Sequence, residues 1–346
     1  MARTTISEVA KAAGVSVSTV SRALRGLDKV NPSTRKRVED AAEKLHFSFS
    51  KSASSLASGK TMRVGVLLAD RISGWFNSHA FEGVYEALSV HGYDVIPYVI
   101  WDEQSLDNFF QTLPGNQNVD AVIVFSFDLD DAKKQVLKEL TVPVVGLNTP
   151  SDDGYGATAR IDDNTSMYAP VRLLHSLGHH SLAYVEQPDT SPFISSSRIR
   201  SQGFVSAARE LGYADDEIMT VPAIVYTGMR NQMDAYSGIV AQLVGSPSRP
   251  TGVCVENDKV AVALVRELVR VGVKIPEDMS VIGFDDDTRA PILDLTTVHQ
   301  DPTELGRSAG NKALALMRGE TLSDPYGVVP TLLVLRGTTG PAPEDD

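Results

Sequence analysis

Thr5-Ile6-Ser7-Glu8-Val9-Ala10-Lys11-Ala12-Ala13-Gly14-Val15-Ser16-Val17-Ser18-Thr19-Val20-Ser21-Arg22-Ala23-Leu24 is the stretch that decides how the chain is read. Thr5 and Glu8 have the spacing of a capping box, in which a hydroxyl and a carboxylate each satisfy a free backbone N–H. Ile6, Val9, Ala10 and Ala13 recur at helical spacing and make one apolar stripe. Gly14 can take the left-handed conformation that stops a helix. Ser16 then caps a second helix whose inward residues are Val20, Ala23 and Leu24. Two short helices around a glycine turn predict a helix-turn-helix, which lays its second helix in the major groove of DNA. The outward residues are Val17, Ser18, Ser21 and Arg22. Arg22 can pair with guanine through two hydrogen bonds, Ser18 can donate or accept, and Val17 can touch a thymine methyl. Ser16 and Thr19 suit phosphate beside the positive helix end, and Thr5 is counted with them. The rival reading is a small helical hairpin with Arg22 merely solvated.

The charge distribution supports the DNA reading. The 346 residues carry a net charge of −12. Residues 1–60, however, hold 11 Lys and Arg against 5 Asp and Glu, net +6, whereas the remainder is net −18. A basic head on an acidic body confines phosphate binding to the head. A hydrophobic content of 42% is enough for buried cores in two or three domains. No apolar run reaches the roughly 18 residues that span a membrane, and the N-terminus lacks a signal-peptide pattern. The lone cysteine, Cys254, lies in the apolar run Gly252–Val255 and reads as a buried small hydrophobe. One cysteine makes no internal disulfide, which fits a reducing cytoplasm, and DNA binding would make the expected setting nucleoid-associated.

Beyond Leu24, Asn31 and Pro32 read as the cap and first residue of a third helix, Ser33 to Leu45, with Val38, Ala41, Ala42 and Leu45 inward. Arg35, Lys36 and Arg37 lie at its start, where phosphate or solvent can meet them. Residues 47–60 are serine-rich. Ala53, Leu56 and Ala57 nevertheless have helical spacing, so a short hinge helix is expected, too short to be stable unless paired with a twin. Leu56 can then wedge into a minor-groove base step or pack on the adjoining domain. From Met62, β-branched runs alternate with amphipathic stretches. Strands are expected at 63–69, 93–100, 119–125, 142–146, 181–185, 252–255 and 279–284. Helices are expected at 76–90, 130–140, 165–177, 197–211, 229–243, 258–271 and 302–317. This alternation predicts parallel sheets covered on both faces. Its length predicts two lobes, with the chain crossing near 157–163 and returning after 285. Four segments follow: a DNA-binding domain (1–46), a hinge (47–60), a two-lobed effector-binding and dimerisation domain (61–338) and an acidic tail (339–346).

Thr5 to Ala10, Gly14-Val15-Ser16 and Thr19 to Leu24 closely resemble the head of the lactose-repressor (LacI-type) family of bacterial transcription regulators. The resemblance continues through Val38 to Leu45, Ala53 to Ala57, Asp162, Gly178-His179, Arg200, Gly203-Phe204, Asn257-Asp258, Pro276 to Asp278, Gly283 to Asp286 and Gln300-Asp301. It implies a homodimeric repressor with a helix-turn-helix head, a hinge helix and a two-lobed body like periplasmic sugar-binding proteins. It also implies a pseudo-palindromic double-stranded operator with a CG step at its centre. Val17, Ser18 and Arg22 would read operator bases and Leu56 would be the minor-groove lever, with Ala53 beside it. In the body, Arg200 matches an arginine that grips ligand hydroxyls or a carboxylate. Asp285 matches an aspartate that accepts from sugar hydroxyls, and Asp162 and Asn257 (or its neighbour Asp258) fall at strand ends. There are departures: Phe49 and Ser50 replace the hinge Pro-Asn, Asp163 stands where asparagine is usual, and Pro170 falls within a helix. No leucine heptad follows Leu335, so a tetramer-forming tail is not expected.

A sugar site needs paired polar groups for vicinal hydroxyls and an aromatic for the apolar ring face. Trp75 or Phe76, after the first body strand, are candidates for stacking; covering a helix start is the alternative. Ser126, Phe127 and Asp128 follow the third strand and Asn148 the fourth, while Ser195 and Ser196 precede Arg200. The expected effector set is Trp75, Phe76, Phe127, Asn148, Asp162, Ser196, Arg200, Asn257, Asp285 and Gln300. Asp287 is expected to be a solvated loop charge. No HExxH, GxSxG or P-loop pattern occurs, so neither enzyme activity nor a metal or other cofactor is expected. A transporter's solute-binding protein and a sugar-processing enzyme are the competing classes. The basic head argues against the first, and assay for sugar turnover tests the second.

Overall fold

The computed structural model describes residues 4–24, 30–47, 60–116, 118–187, 193, 195, 197–222 and 232–344. Two compact units emerge, Met1–Met62 with Gln117–Asp120, and Arg63–Asn116 with Ala121–Asp346.

The first unit is built on three helices, α1 (Ile6–Ala13), α2 (Val17–Leu24) and α3 (Pro32–Lys44). Gly14 ends α1 with φ +63°, while the N–H of Gly14 reaches Lys11 O and that of Val15 reaches Ala10 O. This pair of bonds satisfies carbonyls the helix leaves free and turns the chain into α2. Asn31 caps α3 by accepting from Ser33 N at 3.0 Å, with Pro32 first in the helix. Val9, Ala10, Ala13, Val20, Ala23, Val38 and Ala42 form the core, with Ile6, Leu24, Ala41 and Leu45 packed around it. Thr4 ties the chain start to the end of α3 through its hydroxyl and Leu45 O at 2.9 Å.

The second unit holds two six-stranded sheets. In the first, β1 (Arg63–Leu68), β2 (Asp94–Val99), β3 (Ala121–Phe125), β4 (Val144–Leu147), β5 (Ala157–Arg160) and β11 (Tyr326–Val328) are all parallel, in the order β11-β5-β4-β3-β1-β2. The second sheet runs β12-β10-β9-β8-β6-β7. Its strands are β6 (Leu182–Val185), β7 (Ile218–Val221), β8 (Gly252–Val255), β9 (Ser280–Asp285), β10 (Thr296–His299) and β12 (Leu332–Val334), with β12 antiparallel to β10. Both sheets therefore reverse strand order once, between β1 and β3 and between β6 and β8. Loops at the carboxyl ends of such strand pairs form the crevice where open α/β sheets bind ligands.

Helices cover the sheets: α4 (Trp75–Ser89), α5 (Glu103–Asn116) and α6 (Asp131–Glu139) belong to the first, while α7 (Tyr168–Ser176), α8 (Ser197–Glu210), α9 (Gln232–Gly245), α10 (Asp258–Arg270) and the single turn α11 (Ala290–Leu293) belong to the second. The last long helix, α12 (Pro302–Met317), returns to the first sheet's side and packs on α4. A Cβ on Gly83 would lie 1.9 Å from Thr303 O, and one on Gly306 2.0 Å from Ala80 O, so only glycine permits this approach. The chain passes between the sheets three times, after β5, after β10 and after β11. The return expected after residue 285 falls later, because Thr296–His299 pairs with β9 and belongs to the second sheet. Likewise Ala157 to Arg160 is still a strand of the first sheet, not the crossing itself. Pro170 is accommodated in the first turn of α7, where its missing N–H costs no helical bond.

Candidate functional site

On the first unit, the capping box of α1 is complete: Thr5 Oγ1 accepts from Glu8 N at 3.4 Å and Glu8 Oε2 accepts from Thr5 N at 2.6 Å. These donors, backbone first, hold the Glu8 carboxyl below its usual range. Ser16 Oγ accepts from Thr19 N at 3.2 Å and lies 2.8 Å from Ser18 Oγ and 2.9 Å from Thr19 Oγ1. Three hydroxyls thus crowd the start of α2, where backbone N–H groups point at whatever lies beyond. Val17 is 44% exposed, Ser18 and Arg22 are exposed, and Thr19 and Ser21 are half-buried, while Val20 and Ala23 face the core. No described carboxylate pairs with Arg22. Ala53 and Leu56, and the hinge helix expected around them, lie outside the described residues.

On the second unit, the loops at the carboxyl ends of the strands carry the effector candidates. Trp75 and Phe76 open α4 and are half-buried, with the Trp75 ring 5.2 Å from the His79 imidazole. Phe127, 1% exposed, packs on Phe193 with ring centres 5.2 Å apart, and its backbone bridges to Ser195. Since Phe127 follows β3 and Phe193 precedes α8, this aromatic pair joins the two lobes. Asn148 is buried and its Oδ1 accepts from Ile161 N at 3.1 Å, binding the end of β4 to the first crossing. Asp162 Oδ1 accepts from the backbone N–H of Asn164 and Thr165, both at 3.1 Å. Asn257 caps α10 through Val260 N at 3.0 Å and donates to Gln187 Oε1 at 2.9 Å. Ser196 lies outside the described residues.

Arg200 and its neighbours form the polar centre. Its Nε donates to Asp163 Oδ1 at 2.6 Å and its Nη1 to Glu256 O at 2.8 Å, with the guanidinium 3.6 Å over the Phe284 ring. Gly203, one turn further along α8, makes this possible, because a Cβ there would lie 2.3 Å from Asn164 O. Gln300 Nε2 donates to Asp285 Oδ1 at 2.7 Å, while Gln300 Oε1 is buried without a partner. Burial pushes the Asp285 carboxyl up to about 8, against the pull of Arg200. Left-handed, non-glycine backbone marks the same rim: Ser126 (φ +57°) after β3, Asn148 (φ +50°) after β4, and Asp285 (φ +111°) and Asp286 (φ +58°) at the end of β9. Each such residue costs on the order of 1 kcal/mol or more, and such strain gathers where loops are shaped for a ligand.

Two sequence expectations need correcting here. Asp287 is not a solvated charge: it is 1% exposed and accepts from the backbone N and guanidinium of Arg289. Of the pair Asn257 and Asp258, Asp258 is fully buried, accepting from Thr297 Oγ1 at 2.7 Å and Asp287 N at 2.9 Å, so it supports the loop beneath. Burial pushes its carboxyl up to about 7. The structure adds Glu256, whose Oε2 accepts from Gln187 N at 2.8 Å, and Phe193. Glu256 was findable in principle, since it directly follows β8; Phe193 stands in a loop with no periodic signal. Cys254 is buried in β8, where burial raises its thiol and leaves it inert.

A basic helix-turn-helix followed by a two-lobed solute-binding fold defines a ligand-sensing DNA-binding regulator. Residues 5–49 match the bacterial regulatory proteins, lacI family, and residues 171–339 match a periplasmic binding protein-like domain. The chain is 30% identical over 290 residues to the probable HTH-type transcriptional repressor ExuR of Bacillus subtilis, covering 82% of this chain and 81% of that one. It is 29% identical over 342 residues to the HTH-type transcriptional repressor CytR of Escherichia coli, covering 98% and 97%. Among solved structures, the lac repressor dimer bound to operator and an anti-inducer has the same fold, with a TM-score of 0.83 at 24% identity over 98% of this chain and all of that one. A complex of the transcriptional regulator CelR with cellobiose has a TM-score of 0.66 at 26% identity over 97% of this chain and all of that one. The chain belongs to the LacI family of bacterial regulatory proteins. It is a DNA-binding transcriptional regulator and not an enzyme. No helix among the described residues is long and apolar enough to cross a membrane.

Proposed function

We propose that this chain is a homodimeric repressor that leaves its operator when a mono- or disaccharide binds between its lobes. Two copies would present two α2 helices to a pseudo-palindromic site, with Val17, Ser18, Ser21 and Arg22 toward bases and Thr5, Ser16 and Thr19 toward phosphates. Ala53 and Leu56 would enter the minor groove between the half-sites. The effector would meet Trp75, Phe76 and Phe127 with its ring faces and Asn148, Asp162, Ser196, Arg200, Asn257, Asp285 and Gln300 with its hydroxyls. The segments 1–46, 47–60, 61–338 and 339–346 would serve as reader, hinge, sensor and tail, and the protein would work on the nucleoid in the cytoplasm.

The observation that carries this reading is the cluster of Arg200 on α8 with Asp285 at the end of β9 and Gln300 just after β10, where the backbone of Asp285 and Asp286 is held in a strained form. CelR, a similar protein, has been solved with cellobiose. An effector shifts the equilibrium only by its differential affinity for the two states. Going from 99% bound to 1% bound demands a preference of about 10⁴-fold. Thermal-shift screening of the full chain with mono- and disaccharides finds the effector, and titrating it against operator affinity gives the sign. If no sugar alters operator affinity, induction by sugar is wrong; if one strengthens it, the ligand is a co-repressor.

A further inference from the structure

The guanidinium at the centre of the cleft already has its counter-charge. Arg200 and Asp163 each have side chains 5% exposed and meet at 2.6 Å. The Asp163 carboxylate cancels the charge of Arg200. Glu256, 5% exposed, and Asp285 stand beside the same guanidinium. Burial raises all three carboxyls, although Arg200 pulls each down. The centre is therefore rich in acids and short of positive charge. Lys134, near the start of α6, is likewise matched, by Asp128 at 2.9 Å. Arg71, in the loop after β1, is exposed, where water screens it. The open hydrogen-bonding capacity has the same bias. Gln300 is 3% exposed, and its Oε1, a buried acceptor, has no donor.

We infer that the cleft takes an uncharged, hydroxyl-rich ligand and rejects sugars that carry a carboxylate or phosphate. The inference rests on the sugar reading of this cleft and narrows it. An anion would lose its hydration on entry and, among the described residues lining this centre, gain no unmatched cation in return. A neutral polyol would supply the O–H donor that Gln300 Oε1 lacks among the described residues. Selectivity would come from repulsion as much as from attraction.

Isothermal titration of the full chain, at fixed ionic strength, with matched sets tests this. Suitable sets are glucose, glucuronate and glucose 6-phosphate, and galactose, galacturonate and galactose 6-phosphate, beside a panel of neutral disaccharides. The expected result is that a neutral sugar binds at least about tenfold more tightly than its own charged derivatives. A charged member that binds as well as its neutral parent overturns the inference and leaves the sugar reading standing. Silence across all the sets and the panel overturns both. Asp163→Asn removes the carboxylate in direct contact with Arg200 and should narrow the gap by about tenfold. Glu256→Gln does the same from the other side and serves if the first variant does not fold. A gap unchanged in every folded variant would also overturn the inference.

Discussion

In the proposed operator complex, base reading turns on Arg22. It is exposed on α2 and has no described acidic partner, so its five donors are free to meet a base. Arg22→Ala should cost about 1–3 kcal/mol at one base-pair position and relax the preference there, read by binding to single-base operator variants. Equal weakening on every sequence would make it a phosphate contact. Asp258 makes a different kind of prediction. Its carboxyl titrates at about 7 in the folded chain, well above an ordinary aspartate. The folded state therefore binds more protons than the unfolded one between about pH 4 and 7, and stability falls as pH rises through that window. Asp285, at about 8, adds to the trend in the same direction. Thermal unfolding should give a higher Tm at pH 5.5 than at pH 8. Asp258→Asn should flatten the slope, because its amide can keep both bonds if the Thr297 hydroxyl reverses. An unaltered slope would place the effect elsewhere.

Among the elements, strands written as apolar, β-branched runs were readable, and short or polar ones were not, wherever they lie in the sheet. β1, β3 and β8 are unbroken apolar runs flanked by helices, the signature of a central parallel strand. β5 (Ala-Thr-Ala-Arg) and β10 (Thr-Thr-Val-His) lack that signature, and β11 and β12 have three residues each. Their pairing is set by neighbours distant in sequence, which local propensity does not report. α5 carries a weak helical signal because Pro114 and Gly115 stand near its end. The cleft divides similarly. Strand-end residues such as Asn148 and Asp285 follow from where strands stop, but the Asp163–Arg200 pair joins residues 37 apart and needs the fold. The α4–α12 contact yields a prediction at this scale. Gly306→Ala would press a methyl group on Ala80 O and force the helices apart. It should destabilise the second unit by about 1–3 kcal/mol or more, seen as a fall in Tm. A Tm within a degree of the parent would mean the helices separate freely.

For the whole molecule, charge is the organising quantity. The net +6 of residues 1–60 beside the net −18 of the rest means that DNA affinity should fall steeply with salt, as released counterions cease to favour binding. Operator titrations between 50 and 200 mM salt should lose on the order of 10³-fold or more if about six phosphates are contacted. A flat response would argue against backbone contacts by the head. The protein should also protect an inverted repeat in footprinting, as a symmetric dimer must; a single protected half-site would point to a lone reader.

The three passages between the sheets have a genetic consequence. α12, β11 and β12 come from the last part of the chain, yet β11 borders one sheet and β12 the other. Neither lobe is encoded by one continuous stretch of gene. A premature stop anywhere before residue 302 would strip an outer strand from each lobe at once, leaving no intact half-sensor to trap effector or sequester a wild-type subunit. Late nonsense alleles should accordingly be recessive and as severe as early ones.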